Sequence, residues 1–501
     1  MFTEIHTISI QGLSLVKIGV QVAISPGLPC FNIVGLPDKS ISESKERIRA
    51  ALLHIGLSLP KKRITVNLSP AGLTKIGTHY DLPIALGVIQ LLDSNFVNRN
   101  FSEFVVLGEL SLDASVKGVA GVLPAAIYAK ERNLWLVCPW ENRIEARISK
   151  NKKLLPIASL NELTSFLMGK STPKKICDTF VLEEDSYPDM KDVKGQKIAK
   201  RAIEIAAAGG HHMLMRGPPG TGKSMLAKRI VGIMPPLLPK EIMEVNTIIS
   251  VSGEFTNKIY RKRPFREPHQ SASAAAMIGG GAVPKPGEVT LAHNGVLFLD
   301  EMAEFSSHVL DTLRQVLETG EVTISRANMK LTYPASFQLI GAMNPCRCGY
   351  LGYLPEKECK NSKKCGLEYM KTISGPFLDR IDIFVNMEPI NKNQFFESQD
   401  GESSALIRKR VIAARNKQYE RYNKVKFSLN CHMDNHALAE HVSLDNETRE
   451  FLKATFEKGY ISLRGHDRIL KVARTIADLD GSDEVKKAHL TEALYYRMSQ
   501  N

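Results

Sequence analysis

The sequence predicts an α/β protein: a parallel-sheet core, an α+β domain ahead of it and a helical domain behind it. Three observations carry this prediction. First, "HHMLMR" (211–216), "GVLFLDE" (295–301) and "SFQLIGAMN" (336–344) are short apolar runs bounded by polar or turn residues. Strands buried on both faces of a parallel sheet read this way. Second, helical patterns separate these runs, as crossover connections require. Third, after about residue 390 the pattern is helical throughout, ending in "DRILKVARTIADLDGSDEVKKAHLTEALYYR". The expected division is residues 1–168, a linker at 169–190, a core at 191–390 and a helical domain at 391–501.

Composition narrows the class. The 501 residues are 43% hydrophobic and 24% charged, which is ordinary for a soluble globular chain. No uninterrupted apolar run approaches the ~18 residues that span a bilayer. "MFTEIHTISIQGLSLVKIGV" lacks a basic flank and a small-residue cleavage site, so no secretory signal is read and a cytoplasmic location is expected. The net charge of +13 favours a polyanionic partner, because Lys and Arg release counterions from phosphates.

Within the first 168 residues, "SISESKERIRAALLHIG" (40–56) has the period of an amphipathic helix, with Ser at its start and Gly at its stop. "ITVNLSP" (64–70) and "FVVLGELSL" (104–112) read as strands. "GKSTPKKICDTFVLEEDSYPDM" is polar, carries two prolines and makes a linker.

The core contains Gly217, Pro218, Pro219, Gly220, Thr221, Gly222, Lys223 and Ser224, which match G-x-x-x-x-G-K-[ST]. Glycines let backbone N–H groups turn inward around phosphate oxygens, and the helix that starts here adds its positive end. Lys223 is expected on the β/γ phosphates and Ser224 on Mg²⁺. A strand before the loop and a helix, "SMLAKRIVGIM", after it supply the context that a chance match lacks. Asp300, at the end of "GVLFLDE", is placed to support Mg²⁺, and Glu301 to deprotonate an attacking water. Asn344 ends the next strand, where an amide can sense the γ-phosphate or position water, although Asn there is also a common turn former. In "ISGPFLDRIDIFV" (373–385), Arg380 has two readings: a local ion pair with Asp379 or Asp382, or an arginine finger for a neighbouring subunit.

Four of the eight cysteines fall within twenty residues: Cys346-x-Cys348, ten residues, Cys359, five residues, Cys365. Four thiolates fit the closed tetrahedral shell of structural Zn²⁺, although C-x-C is tighter than the usual first pair. A thiol-rich exposed loop without metal would be prone to oxidation. Arg347, Lys357, Lys360, Lys363, Lys364 and Lys371 interleave with Tyr350, Tyr353 and Tyr369, a composition suited to phosphate contact and base stacking.

The set "GPPGTGKS", "VLFLDE", "GAMNP" and "LDRID" resembles the AAA+ ATPases. The run "FREPHQSASAAAMIGGGAVPKPGEVTLAHNGVLFLDEMAEF" (265–305) resembles the magnesium-chelatase-like branch and, within it, the ComM/YifB family. That resemblance implies an AAA+ P-loop α/β/α core, a hexameric ring with ATP sites between subunits, and a helical lid. It also implies a second sensing arginine in "SLRGHDRILKVARTIADL" (462–479), where Arg464 and Arg468 both qualify. For this family it implies an ATP-driven motor on single-stranded or branched DNA, a helicase promoting branch migration of recombination intermediates in natural transformation. "MIGGGAVPKPGEVT" (277–290), with Lys285, is then expected to be a pore loop, and "TGEVTISRANMKLTYPASF" (319–337) a hairpin carrying Arg326 and Lys330.

"LSPAGLTKIGTHYDLPIALGVI" and "GELSLDASVKGVAGVLPAAIYAKE" resemble the Lon-protease-type domain. The nucleophile segment "TKIGTHYD" holds no serine, and Leu123 stands near the place of the general-base lysine. Without that pair there is no acyl-enzyme chemistry, so a scaffold is expected. Lys75, His79 and Lys117 are left as candidates to bind DNA or a neighbour. The alternatives to a DNA motor are a metal-chelatase-type motor and a protein-remodelling ATPase. Stimulation by forked DNA or by casein separates them.

Overall fold

The computed structural model describes residues 2–93, 100–174, 187–255, 258–281, 285–326, 329–351, 362–389, 401–423, 428–457 and 463–499. Alternating apolar residues in the first third build a four-stranded sheet, ordered Phe2–Gln11, Ser14–Ser25, Arg63–Ser69, Cys30–Val34. Its first three strands are antiparallel neighbours, and the last pair is parallel. The parallel pair needs a crossover, which the Lys39–His54 helix supplies. That helix starts on Asp38, whose carboxylate accepts the Ile41 N–H at 2.9 Å, and not on a serine. The Asp81–Leu92 helix is apolar nearly all round and buried nearly all round, as that pattern demands.

The expected single strand at 104–112 divides in two. Phe104–Val106 joins a parallel sheet with Trp135–Pro139 and Leu154–Ile157, whereas Glu109–Leu110 pairs with Val116–Lys117. Gly108 lies at the break. A Cβ there would come within 2.8 Å of the Val116 Cγ1 and 3.0 Å of the Leu82 Cδ2, so a side chain would force its neighbours to shift.

The second sheet has five parallel strands, in the order Phe265–Arg266, Val296–Leu299, Gln338–Met343, Met213–Arg216, Ile383–Asn386. Side chains alternate between its faces. Met213, Met215, Phe298, Ile340 and Ile383 pack with the Lys197–Gly209 helix and with helices near the C-terminus. Leu214, Leu297, Leu299, Leu339 and Phe384 pack with the Ser307–Thr319 helix on the other face. The helix expected over "SMLAKRIVGIM" is broken into Lys223–Ala227 and Ile230–Ile233. Between the pieces Arg229 bonds the carbonyls of Asp189 and Met225 and the Asp192 carboxylate.

The C-terminal part is helical: Ser404–Arg421, Asn435–His441, Asn446–Glu457, Leu463–Leu479 and Lys487–Met498. No helix among the described residues is long and apolar enough to cross a membrane. The N-terminal part meets the core at the end of the Pro239–Ser252 helix. There the Ser250 carbonyl accepts the Gly121 N–H at 2.9 Å, and its hydroxyl bonds the buried Glu145 carboxylate.

Candidate active site

Parallel strands present their carboxyl ends on one side, and the side chains expected to carry chemistry gather there. Gly220 and Gly222 hold φ of +80° and +87° with open space around them, so they are needed for conformation and not for room. Gly217 is different: a Cβ would lie 2.5 Å from the Met387 carbonyl oxygen. Inside the loop Lys223 Nζ donates to the Gly217 oxygen at 2.7 Å, the Pro218 oxygen at 3.0 Å and Asn344 Oδ1 at 3.1 Å. Burial pulls the lysine's pKa down, while Asp300 and Glu301 raise it. Thr221 Oγ1 donates to the Pro218 oxygen at 3.0 Å and stiffens the turn.

Ser224 Oγ donates to Asp300 Oδ2 at 2.6 Å. A hydroxyl and a carboxylate in contact offer the hard oxygen donors that Mg²⁺ selects, so the residues fit the ion. Glu301 follows with φ +50°, in the left-handed region that a non-glycine residue rarely adopts. Its backbone N–H donates to Asp300 Oδ1 at 3.0 Å, and its own carboxylate is left exposed. Held carboxylate and free carboxylate thus stand side by side. Sequence reasoning missed Gln196, whose amide donates to the Glu388 oxygen at 2.8 Å and to the Thr221 oxygen at 3.4 Å. The "VKGQ" turn ahead of a helix was the available signal.

The arginines lie at the other end. Asp382 stands just before the Ile383–Asn386 strand, and His211 just before Met213–Arg216. Asp382 Oδ2 is 3.0 Å from His211 Nδ1, and Oδ1 is paired with Arg468. Burial opposes its ionisation, but Arg468 and His211 hold the carboxyl well below the usual range. Arg468 also donates to the Arg380 carbonyl at 2.9 Å. Arg380 is paired with Glu318, not with Asp379 or Asp382. Arg380, Glu318, Asp382, Arg468 and His212 line a cavity of about 470 Å³. Four strand residues separate this end from the phosphate loop, about 13 Å. Arg468 is therefore not brought to its own subunit's loop. Arg464's side chain lies outside the described residues.

Cys346, Cys348 and Cys365 converge, with their Sγ atoms all within 4.8 Å of one another. Burial raises the Cys346 pKa, but Cys348 and nearby backbone N–H groups bring it below the ordinary thiol value. Cys359, Lys357, Lys360 and Tyr353 lie outside the described residues, as do the side chains of Lys363 and Arg326. Arg347, Lys364, Lys371, Lys285 and Lys330 are exposed, but Tyr369 is buried and cannot stack on a base. Two N-terminal candidates are corrected on the same ground. Lys75 is fully buried and donates to the Pro70 carbonyl; His79, 2.9 Å from the Ile8 oxygen, has its pKa lowered to about 4 by burial. Lys117 is exposed. Strands Glu321–Arg326 and Met329–Pro334 form the expected hairpin, and a short ladder pairs Gly279–Gly280 with Lys285–Pro286.

Three family models match the chain. Residues 189–395 match the family described as magnesium chelatase, subunit ChlI. Residues 20–142 match subunit ChlI of Mg-chelatase, and 401–497 match the ChlI C-terminal family. YifB of Escherichia coli is 41% identical over 98% of this chain and 96% of its own. The competence protein ComM of Haemophilus influenzae is 40% identical over 97% and 96%. The magnesium-chelatase 38 kDa subunit of Cereibacter sphaeroides is 22% identical over 62% of this chain and 91% of its own.

Proposed function

We propose, from the premise that this chain belongs to the ComM/YifB family of magnesium-chelatase-like AAA+ proteins, that it is an ATP-driven DNA motor. The observation that carries the reading is the meeting of Lys223, Ser224, Asp300, Glu301 and Asn344 at one end of one sheet. Lys223 releases the loop carbonyls and takes up the β/γ phosphates of ATP. Ser224 and Asp300 hold Mg²⁺, which neutralises phosphate charge when bound. Glu301 accepts a proton from the attacking water, and Asn344 reports the γ-phosphate to the strand behind it.

Arg380 and Arg468, displaced to the far end of the sheet, act on the nucleotide of an adjacent subunit in a hexameric ring. Stepwise hydrolysis around that ring drives branched or single-stranded DNA through its centre. Exposed Lys285, Lys330, Arg347, Lys364 and Lys371 are the described residues proposed to meet the phosphate backbone. The thiol cluster is read as a structural Zn²⁺ site. One relative is named a competence protein, which supports natural transformation as the setting; branch migration is the step proposed for the motor there. Steady-state ATP hydrolysis with and without forked DNA tests this. Stimulation by the fork, with junction movement, is expected. Stimulation by casein and not by DNA would move the reading to a protein-remodelling motor.

A further inference from the structure

The chain beyond Asn344 turns back onto the ATP site at two separate points, and the three thiols sit between them. Cys346 is fully buried, and its Sγ lies 3.0 Å from Cys348 Sγ. Cys365 arrives from the Ser362–Met370 helix. A tetrahedral shell with metal–sulfur bonds of about 2.3 Å puts its sulfurs roughly 3.8 Å apart, wider than the 3.0 Å between Cys346 and Cys348 and inside the 4.8 Å that bounds all three. The Gly349 N–H donates to the Cys346 carbonyl at 3.0 Å and closes the turn that carries the first two thiols.

Each arm of this cluster touches the catalytic end of the sheet. On the first arm Gly349, at φ +89°, lies against Pro219 of the phosphate loop. A Cβ there would sit 3.0 Å from Pro219 Cδ. On the second arm Tyr369 follows Cys365 by one helical turn, is buried, and packs in one apolar cluster with Met302 and Ala303. Those two residues belong to the short helical turn Met302–Glu304 that begins on Glu301. The phosphate loop and the Glu301 turn come from distant parts of the chain. The cysteine turn and its helix bridge them.

We propose that Cys346, Cys348 and Cys365 bind a soft divalent cation, Zn²⁺ by ligand chemistry, and that this site staples the phosphate loop to the Glu301 turn. The staple rests on the ATP reading given above; the cation site does not. Loss of the cation frees the two arms, and turnover falls because Glu301 and Lys223 no longer share one geometry. Misplacement of this kind costs about tenfold to a hundredfold in rate.

The test uses the full chain, purified without a metal-affinity step. Zinc released by mercurial titration of the thiols should reach one ion per chain. Replacement by Co²⁺ should give thiolate-to-cobalt charge-transfer absorption, and Cys348→Ser and Cys365→Ser should each lose it. Chelated wild-type protein, which needs no substitution to fold, should hydrolyse ATP more slowly and recover on adding Zn²⁺. Tyr369→Leu, which removes the buried ring, should keep the metal and the cobalt spectrum yet lose part of the turnover. A chain without zinc or cobalt absorption, or with a Cys346–Cys348 disulfide in place of metal, overturns the site. Bound metal whose removal leaves turnover unchanged overturns the staple. A metal-loaded chain that hydrolyses no ATP would instead sink the ATP reading, and the cation site would then stand or fall on stoichiometry and spectrum.

Discussion

The two ends of the five-stranded sheet are built from the same strands and do opposite things with charge. At the carboxyl end, among the described residues Lys223 donates only to neutral oxygens of its own loop and of Asn344, and the Glu301 side chain is exposed. That is a cation waiting for an anion. At the amino end the charges are already matched: Arg380 with Glu318, Arg468 with Asp382, Arg497 with Asp379. The first arrangement leaves a cation open to a ligand. The second holds mostly buried arginines in fixed ion pairs, which the proposed function would have a neighbour's phosphates compete for. On the function proposed above, the difference means that a single subunit would carry half of each of two sites.

The largest effect should come from the carboxyl end. Lys223→Ala removes the only described cation in the phosphate loop, and ATP binding should be lost outright in equilibrium titration. ATP binding by that variant at wild-type affinity would break the comparison at its stronger end. Next in size is Arg380→Ala. An arginine acting across an interface is worth on the order of 10³ in rate, so turnover should nearly vanish while ATP binding survives. Mixing Arg380→Ala with Lys223→Ala protein should restore part of the activity, because some interfaces regain both halves. No rescue at any ratio would place both ends in one subunit's service.

Glu301→Gln sharpens the division within the carboxyl end itself. Asp300 is tied to Ser224, whereas Glu301 is free, so the substitution should spare ATP binding. Removal of a general base costs on the order of 10²–10⁴ in turnover. Single-turnover assays with bound ATP will show it, and a variant that instead fails to bind ATP would assign Glu301 to the metal.

Much of the carboxyl end was legible because its residues are consecutive or end apolar runs. Gly217 to Ser224 declares its own loop, and Asp300 and Asn344 each follow a strand that periodicity finds. The amino end was not legible, because its partners are far apart in sequence. Arg380 chooses Glu318, sixty residues back, over the adjacent Asp379 and Asp382, and no local rule states that. Arg468 is taken by Asp382 for the same reason. Burial was equally hidden. Lys75, His79 and Tyr369 look like surface chemistry in a string, and only packing removes them from the surface. The left-handed backbone at Glu301 had no sequence signal at all, since glutamate is not among the residues that favour it.

The smallest effect separates the two ends by pH. His212 sits at the amino end, where its Nδ1 accepts the Leu339 N–H at 3.1 Å and so must be unprotonated. Burial lowers its pKa to about 4; Asp382 opposes the shift, and Arg468, His432 and His211 add to it. An unfolded chain would protonate the same ring near 6.5. Between those values the unfolded state binds more protons, so stability is complete above the upper value and drains away as pH falls toward the lower. At ~1.4 kcal/mol per pH unit across that window, the loss should be at most roughly 3 kcal/mol. It should appear in the unfolding transition that added ATP raises, since ligand binding marks the core's own transition. His212→Asn, which keeps an acceptor for Leu339 without the titration, should flatten the slope over that window. An unchanged slope in that variant would move the pH sensitivity away from the amino end and leave the division of the sheet resting on the arginines alone.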